Sequence, residues 1–547
     1  MNPSASAPNT SGALQPLSGT TRRLAIWLFL LVTLKSIFLG SFVIPPADIP
    51  DESGHYAYVK DIAHGNIFPL LGQATIPNDL WMDPVDKRPS PLPRTNYIVQ
   101  HPPLYYAIAA IPYKIASLIT DDRWYHIRAT RLVSALCMGL LVMVIFRTLL
   151  DLRIEPAKAV LLAMSVAFIP TLTNLSAGIT NDVFLALVSA MATRHFIRYL
   201  LDHRLQDAYL CALWLTVAGA TKMTAWIMIA AMVAILLFEL RLPWRRWLLH
   251  APLISLVSVL APLWWMGRNL YHFGNPFYIG ITDSVKAALP HLTVEQFIHA
   301  DSFFYPMLVS FYGLFGFSGY CQTPELAHLC IGTRLTHITD YPFLYFALVI
   351  LVLALAFLWL TVVHGRQLAQ PSAPLHPAAT LQEWMTNLLS NRALRVVLIV
   401  SAAIAGTAGY LWVWPQLHLE EGLREEPFIN AILLIPLILG PTALVLAVLS
   451  REPSDRLVHY GLLVFVFFGL IFLTQVFKAY VLVAQMRGIQ GRYFYPYVPL
   501  LLASSALVLE KLRVPPHAYL WAVLGLAVAD IYTYAQKVIP FLETVKV

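Results

Sequence analysis

The nine residues PDESGHYAY at 50–58 follow closely on LAIWLFLLVTLKSIFLGSFVI, a run long and apolar enough to cross a bilayer, and they carry an Asp-Glu pair, a His and two Tyr. A carboxylate beside a membrane can take a proton from a hydroxyl if a partner is held in line and water is excluded. Adjacent carboxylates also push one another's pKa upward, which suits one of them to act as a base. The alternative is that Asp51 and Glu52 only cap the helix that follows.

Further polar residues recur where other apolar runs begin or end. SAGITND holds Asn181 and Asp182, GATKMTA holds Lys222, RNLYHFGNPF holds Arg268, Asn269 and His272, and RGIQGRYFYP holds Arg487, Arg492, Tyr493 and Tyr495. Any one of these cations could simply snorkel toward water. Ionisable groups at membrane depth are costly, however, and tend to be functional. Cations recurring beside a carboxylate pair would suit a phosphate-bearing lipid, with Lys as a point charge, Arg as a planar fork and Tyr at the interface.

The elements that must bring these residues together are transmembrane helices. Of 547 residues, 58% are hydrophobic and 12% charged, and the mean hydropathy is +0.65. A water-soluble chain could not cover that much apolar surface. Apolar blocks near the roughly 20 residues needed for a span predict helices at 24–44, 128–149, 157–175, 181–200, 206–220, 223–240, 249–268, 342–363, 394–414, 428–449, 458–480, 494–510 and 516–536. That is an all-α bundle of about thirteen spans, with the short pair at 206–240 least well defined.

Lys and Arg collect in cytoplasmic loops. With Arg22 and Arg23 inside, alternate loops hold Arg147, Arg153 and Lys158; Arg198 and Arg204; Arg241, Arg245 and Arg246; Arg366, Arg392 and Arg395; Arg451 and Arg456; Lys511 and Arg513. The opposite loops hold Asp48, Asp51, Glu52, Glu420, Glu421, Glu425 and Glu426. This separation requires HPPLYYAIAAIPYKIASLI at 101–119 to lie along the outer interface as an amphipathic helix rather than to cross. The large outer loops are then 45–127 and 271–341, residues 1–23 form a disordered cytoplasmic tail, and 24–540 make one transmembrane module without a separate soluble domain.

Cys137 and Cys211 fall inside spans as small apolar residues. Cys321 and Cys330 share the second outer loop, where a disulfide between them is open. The net charge of +7 comes without a basic tract or aromatic-basic interleaving, which argues against nucleic-acid binding. The chain has no Gly-rich nucleotide loop, no Cys/His zinc spacing and no evident internal repeat of the transporter kind.

The ordered set Asp51-Glu52 with His55 and Tyr56, QHPPLYY at 100–106, TND at 180–182, Lys222, RN followed by GNPF at 268–277, FYGLFGFSGY at 311–320 and QGRYFYP at 490–496 resembles the GT-C class of integral-membrane glycosyltransferases. That class holds the protein O-mannosyltransferases and the lipid A aminoarabinose transferase. The resemblance covers about residues 24–500. It implies transfer of a sugar, with inversion, from a polyprenyl-phosphate carrier to an extracytoplasmic acceptor, by a multi-pass plasma-membrane enzyme. By that resemblance Asp51 is the base and Glu52 helps to position it or the acceptor. Lys222, Arg268 and Arg492 would hold the donor phosphate, and His55, Tyr56, His101, Tyr105, Asn181, Asp182 and Tyr493 would line the substrate site. The resemblance implies no essential metal, although Asp51, Glu52 and His55 could ligate Mg or Mn. The lack of a large soluble domain after the last span favours a glycan or lipid acceptor over a protein. Competing readings are a flippase for lipid-linked sugars, a ligase or polymerase using a polyprenyl-diphosphate donor, and a structural membrane subunit.

Overall fold

A computed structural model describes residues 18–46, 49–77, 94–278, 452–483 and 491–539, with a few more between 443 and 450. The expected spans at 342–363 and 394–414, nearly all of 428–449, most of the loop at 271–341, the motif at 311–320, Arg487, and Cys321 with Cys330 lie outside the described residues.

Helix α1 (Gly19–Phe38) starts at Ser18, whose hydroxyl accepts the Thr21 N–H, and runs into a π-helical turn at Leu39–Val43. After it come α2 (Glu52–Ala63), α3 (Leu104–Ser117), α4 (Arg123–Asp151), α5 (Pro156–Val166), α6 (Pro170–Ser176), α7 (Asn181–Asp202), α8 (Leu205–Gly219), α9 (Ala225–Glu239) and α10 (Trp244–Phe273). The later described helices are α11 (Pro453–Val483), α12 (Val498–Lys511) and α13 (Pro516–Thr533). Among the described residues six helical stretches are long and apolar enough to span a bilayer: 19–43, 123–151, 181–202, 244–273, 491–511 and 516–536. The expected span at 157–175 is instead α5 and α6, bent by 73° at the break. Its loose carbonyl at Ala167 is taken up by the Lys35 ammonium at 2.8 Å, which also pairs with Asp530 at 2.5 Å.

The expected pair at 206–240 is real but short. Helices α8 and α9 have 15 residues each, a rise of about 22 Å at 1.5 Å per residue, less than the ~30 Å of a full crossing. The turn between them, which carries Lys222, is therefore recessed within the bundle. The segment at 101–119 forms α3, whose 14 residues are too few for a full crossing. Tyr105, Tyr106, Ala109, Ala110 and Tyr113 form its buried face, while Ile111, Ile115 and Leu118 are exposed, so one apolar face meets protein and the other is free for lipid. A two-stranded antiparallel sheet, β1 (Thr75–Ile76) with β2 (Arg94–Thr95), ties the loop beside it.

Several basic residues at the far end of the bundle, including some assigned to cytoplasmic loops, are held in ion pairs. Arg194 meets Asp151, Lys158 meets Glu510, and Arg456 meets Glu239 at 3.1 Å. Cys137 and Cys211 are free and buried in the core.

At the other end one buried side chain joins several elements. Arg131 of α4 donates from Nε to Glu52 Oε1 and from Nη2 to Glu52 Oε2, both at 2.7 Å. Its Nη1 reaches the carbonyls of Gly40 and Ile44 at 2.6 and 2.8 Å, and Nη2 the carbonyl of Pro45 at 2.8 Å. Those carbonyls lie in and just after the π-helical turn, where regular helix bonding has ended. Glu52 Oε1 in turn accepts the Ile179 N–H at 3.0 Å. Arg131→Met should cost about 3–5 kcal/mol, because it strands a buried carboxylate, whereas Arg131→Met with Glu52→Leu should recover part of that loss. Thermal unfolding of the detergent-solubilised variants measures both.

Candidate functional site

Asp51 precedes α2 in the left-handed conformation, at φ 64° and ψ 8°, a region that Asp tolerates better than most residues. Its side chain makes no capping hydrogen bond to α2. Instead Oδ1 accepts the Tyr97 hydroxyl at 2.5 Å, and Oδ2 accepts Arg492 Nη2 at 2.6 Å. The helix-cap alternative therefore fails for Asp51. The carboxylate is turned toward a residue 441 positions away.

Tyr97 reaches Asp51 because the turn at Tyr97–Gln100 is clamped to α2. The buried Asn96 donates to the Gly54 carbonyl at 3.0 Å and caps the turn by accepting the Ile98 N–H at 3.1 Å. Gly54 permits this approach, since a Cβ there would come within 2.7 Å of Ile98. Arg492 arrives on the 3₁₀ segment Gly491–Tyr497, which leads into α12.

Arg492 also faces a second carboxylate, with Nη1 3.6 Å from Asp182 Oδ2. Asp182 begins α7, where Thr180 caps its N–H, and its Oδ1 lies 2.5 Å from Lys222 Nζ. The Lys222 ammonium sits 5.3 Å from the centre of the Tyr493 ring. The result is a continuous chain, Asp51, Arg492, Asp182, Lys222, assembled from the head of α2, the segment before α12, the head of α7 and the recessed α8–α9 turn.

Two imidazoles adjoin this chain. Asn181 donates from Nδ2 to the Tyr106 hydroxyl at 3.1 Å and to the Thr221 carbonyl at 3.4 Å, and the Tyr106 oxygen lies 2.9 Å from His55 Nδ1. The Thr221 carbonyl can only accept, so it orients the Asn181 amide. Tyr106 then donates its proton to His55 Nδ1, leaving the neutral ring protonated at Nε2. Burial drives the His55 pKa down to about 3, the nearby carboxylates of Asp51 and Asp182 offsetting only part of the effect. His101 is held well below the usual imidazole range, first by burial and then by the Lys222 charge, and among the described residues its Nδ1 has no hydrogen-bond partner. For Asp51, burial favours the neutral acid, but Arg492 and the Tyr97 hydrogen bond outweigh it and hold the carboxyl well below its usual range.

The structure thus gathers Asp51, His55, His101, Asn181, Asp182, Lys222, Arg492 and Tyr493. It sets four expected residues apart. Glu52 is committed to Arg131 and the Ile179 N–H, so it anchors the turn that presents Asp51 rather than joining the Asp51–Arg492 chain. The Tyr105 hydroxyl is held between Ser134 and the Thr180 N–H. Tyr56 is buried edge-on against Tyr113. Arg268 lies over the Trp265 ring and donates to the carbonyls of Phe68 and Pro69, which pins the 66–72 loop. Sequence reading missed Tyr97, Tyr106 and Arg131. Their signal was faint: one Tyr four residues before His101, the second Tyr of QHPPLYY, and one Arg inside an apolar span. Among the described residues no three His, Cys, Asp or Glu side chains converge as a metal cluster. A divalent ion bound by Asp51 and Asp182 would have to displace Arg492 or Lys222.

A family model for dolichyl-phosphate-mannose-protein mannosyltransferase matches residues 100–265, a stretch that includes His101, Asn181, Asp182 and Lys222. Solved structures with a similar chain course include two of ArnT from Cupriavidus metallidurans. The apo form has 15% identity and a TM-score of 0.38, and the form bound to undecaprenyl phosphate 16% and 0.35, each covering 89% of this chain and 78% of the other. The S. cerevisiae protein O-mannosyltransferase Pmt1-Pmt2 complex bound to the sugar donor has 16% identity and a TM-score of 0.34 over 48% of this chain. There the chain spans about a third, 34%, of the yeast chain. No curated protein matches the sequence.

Because the native state refuses a proton on His55 that the unfolded chain accepts near the usual 6.5, His55 should lower stability as pH falls from about 6.5 toward 3. In nitrogen-15 histidine spectra its ring should show the Nε2–H tautomer and no titration between roughly pH 5 and 8. Tyr106→Phe should abolish that tautomer preference.

Proposed function

We propose that the protein is a membrane glycosyltransferase that moves a sugar from a polyprenyl-phosphate carrier to an acceptor, with Asp51 as the base. The observation that carries this reading is the Asp51, Arg492, Asp182, Lys222 chain. It puts a carboxylate free of capping duty next to two cations suited to a phosphate, in a recess between transmembrane helices. The similarity of residues 100–265 to a family of lipid-phosphate-sugar transferases supports the same reading.

In this mechanism the acceptor hydroxyl gives its proton to Asp51 as its oxygen attacks the anomeric carbon. Attack from the face opposite the phosphate inverts the configuration. Arg492 and Lys222 meet the negative charge that grows on the phosphate as the glycosidic bond breaks. The neutral rings of His55 and His101 offer hydrogen bonds to sugar hydroxyls without adding charge. The phosphate-bearing lipid enters sideways from the bilayer, and the side facing the extracytoplasmic space follows from the segregation of Lys and Arg to the far end. An acceptor that is a glycan or a lipid suits a site closed by α2, α3 and their loops.

Asp51→Asn is the informative variant, because Asn keeps the size and tolerates the left-handed backbone at φ 64°. In vesicles supplied with polyprenyl-phosphate sugars and a panel of glycan and lipid acceptors, transfer should fall about 10²–10⁴-fold while carrier binding survives. Unchanged turnover would refute Asp51 as the base. Carrier movement across the vesicle without sugar transfer would point to a flippase instead.

A further inference from the structure

The charged cluster at the head of α2 is electrically balanced as it stands. Among the described residues its charged side chains are the carboxylates Asp51 and Asp182 and the cations Lys222 and Arg492, and each cation already sits on a carboxylate. Arg268, the third expected cation, is engaged by two backbone carbonyls. Among the described residues, then, a phosphate at this cluster meets cations that already have carboxylate partners, and must compete with those partners for them.

The two candidates differ in what they would leave behind. Lys222 moving off Asp182 would leave a carboxylate whose side chain is 4% exposed with only the longer contacts to Arg492 Nη1 at 3.6 Å and the Thr180 hydroxyl at 3.4 Å. Arg492 moving off Asp51 would uncover one that is 18% exposed and still bonded to the Tyr97 hydroxyl at 2.5 Å. Uncovering a partly hydrated, hydrogen-bonded carboxylate costs less than stranding a dry one. Arg492 is also already shared between two carboxylates and presents a fork that fits phosphate oxygens.

We propose that the carrier phosphate takes Arg492 from Asp51, so that Asp51 becomes a competent base only after the lipid-linked donor is seated. This rests on the transferase reading above. While Arg492 and Tyr97 occupy its two oxygens, Asp51 has little tendency to accept a proton. Once Arg492 turns to the phosphate, Oδ2 is open to the acceptor hydroxyl. The proton passes to Oδ2, the acceptor oxygen bonds to the anomeric carbon, and the bond from that carbon to the phosphate oxygen breaks with its electron pair leaving on the phosphate. When the carrier departs, Arg492 returns to Asp51 and the proton is released to water. The other groups facing Asp51 are His55 and His101, both neutral, and Asp182, Lys222, Tyr97 and Tyr493. The device keeps the idle enzyme from activating water.

The test is a double-mutant cycle on binding of undecaprenyl phosphate to the full chain in nanodiscs. The proteins are wild type, Asp51→Asn, Arg492→Gln and the double variant. If phosphate and Asp51 compete for one guanidinium, Asp51→Asn tightens binding. Arg492→Gln then weakens it roughly ten-fold more in the Asp51→Asn background than in wild type. Asp182→Asn removes an equal charge without freeing Arg492 Nη2, and should couple more weakly to Arg492→Gln. Equal losses in both backgrounds would overturn the exchange and leave the transferase reading standing. A wild-type protein that binds no carrier would overturn both. Tyr97→Phe supplies an independent arm: it makes uncovering Asp51 costlier, so carrier binding should weaken several-fold when Asp51 is present and not in Asp51→Asn, and an unchanged affinity would contradict the exchange.

Discussion

The site end of this bundle depends on one guanidinium. Arg131 has five N–H groups, and the structure gives it five hydrogen bonds, to both oxygens of Glu52 and to the carbonyls of Gly40, Ile44 and Pro45. A π-helical turn at the end of a transmembrane helix leaves carbonyls without helical partners, and the low dielectric around them makes that expensive. Arg131 answers this need and Glu52 answers the charge of Arg131. Because Glu52 is the first residue of α2, the same pair fixes where α2 starts. The residue before it is then forced into the left-handed turn that swings Asp51 away from its own helix.

A fully satisfied ion pair and a shared one consequently stand side by side in sequence. Glu52 is 2% exposed and locked from α1, α4 and the 177–179 turn. Asp51, its neighbour, is held by groups on elements that are distant in sequence, Tyr97 and Arg492. Both carboxylates are paired with arginine, so pairing alone does not distinguish them. The separation lies in what each arginine holds besides its carboxylate: backbone carbonyls that never leave for Arg131, and a second carboxylate with its own lysine for Arg492.

Much of this was legible in the sequence, because the physics that inserts a chain into a bilayer also sorts its charges. The lengths of the apolar runs and the placement of Lys and Arg gave the membrane class, kept α3 from being counted as a span, and put Asp51, Asn181, Asp182, Lys222 and Arg492 at one end. Composition could not resolve the 73° break between α5 and α6 or the shortness of α8 and α9, since a broken or half-length helix is as apolar as a whole one. Nor could adjacency divide the labour of Asp51 and Glu52. Consecutive residues at a helix start point in different directions, and which of them meets a distant arginine is settled by tertiary packing. Tyr105 and Tyr106 make the same point: the first braces Ser134 and Thr180, the second carries the hydrogen-bond chain to His55.

The recessed α8–α9 turn gives the arrangement its depth. A lysine on a full-length span would reach the headgroup level and be solvated there. On a hairpin about 22 Å high Lys222 stays inside the bundle, 5% exposed, where its charge has to be met by protein, and Asp182 meets it. With Asp182 so committed, Arg492 cannot be satisfied by Asp182 alone and turns to Asp51. The short hairpin, the two carboxylates and the arginine that links them are thus one electrostatic unit: lengthening the hairpin by a turn would hydrate Lys222 and loosen Asp182, drawing Arg492 toward α7 and away from α2.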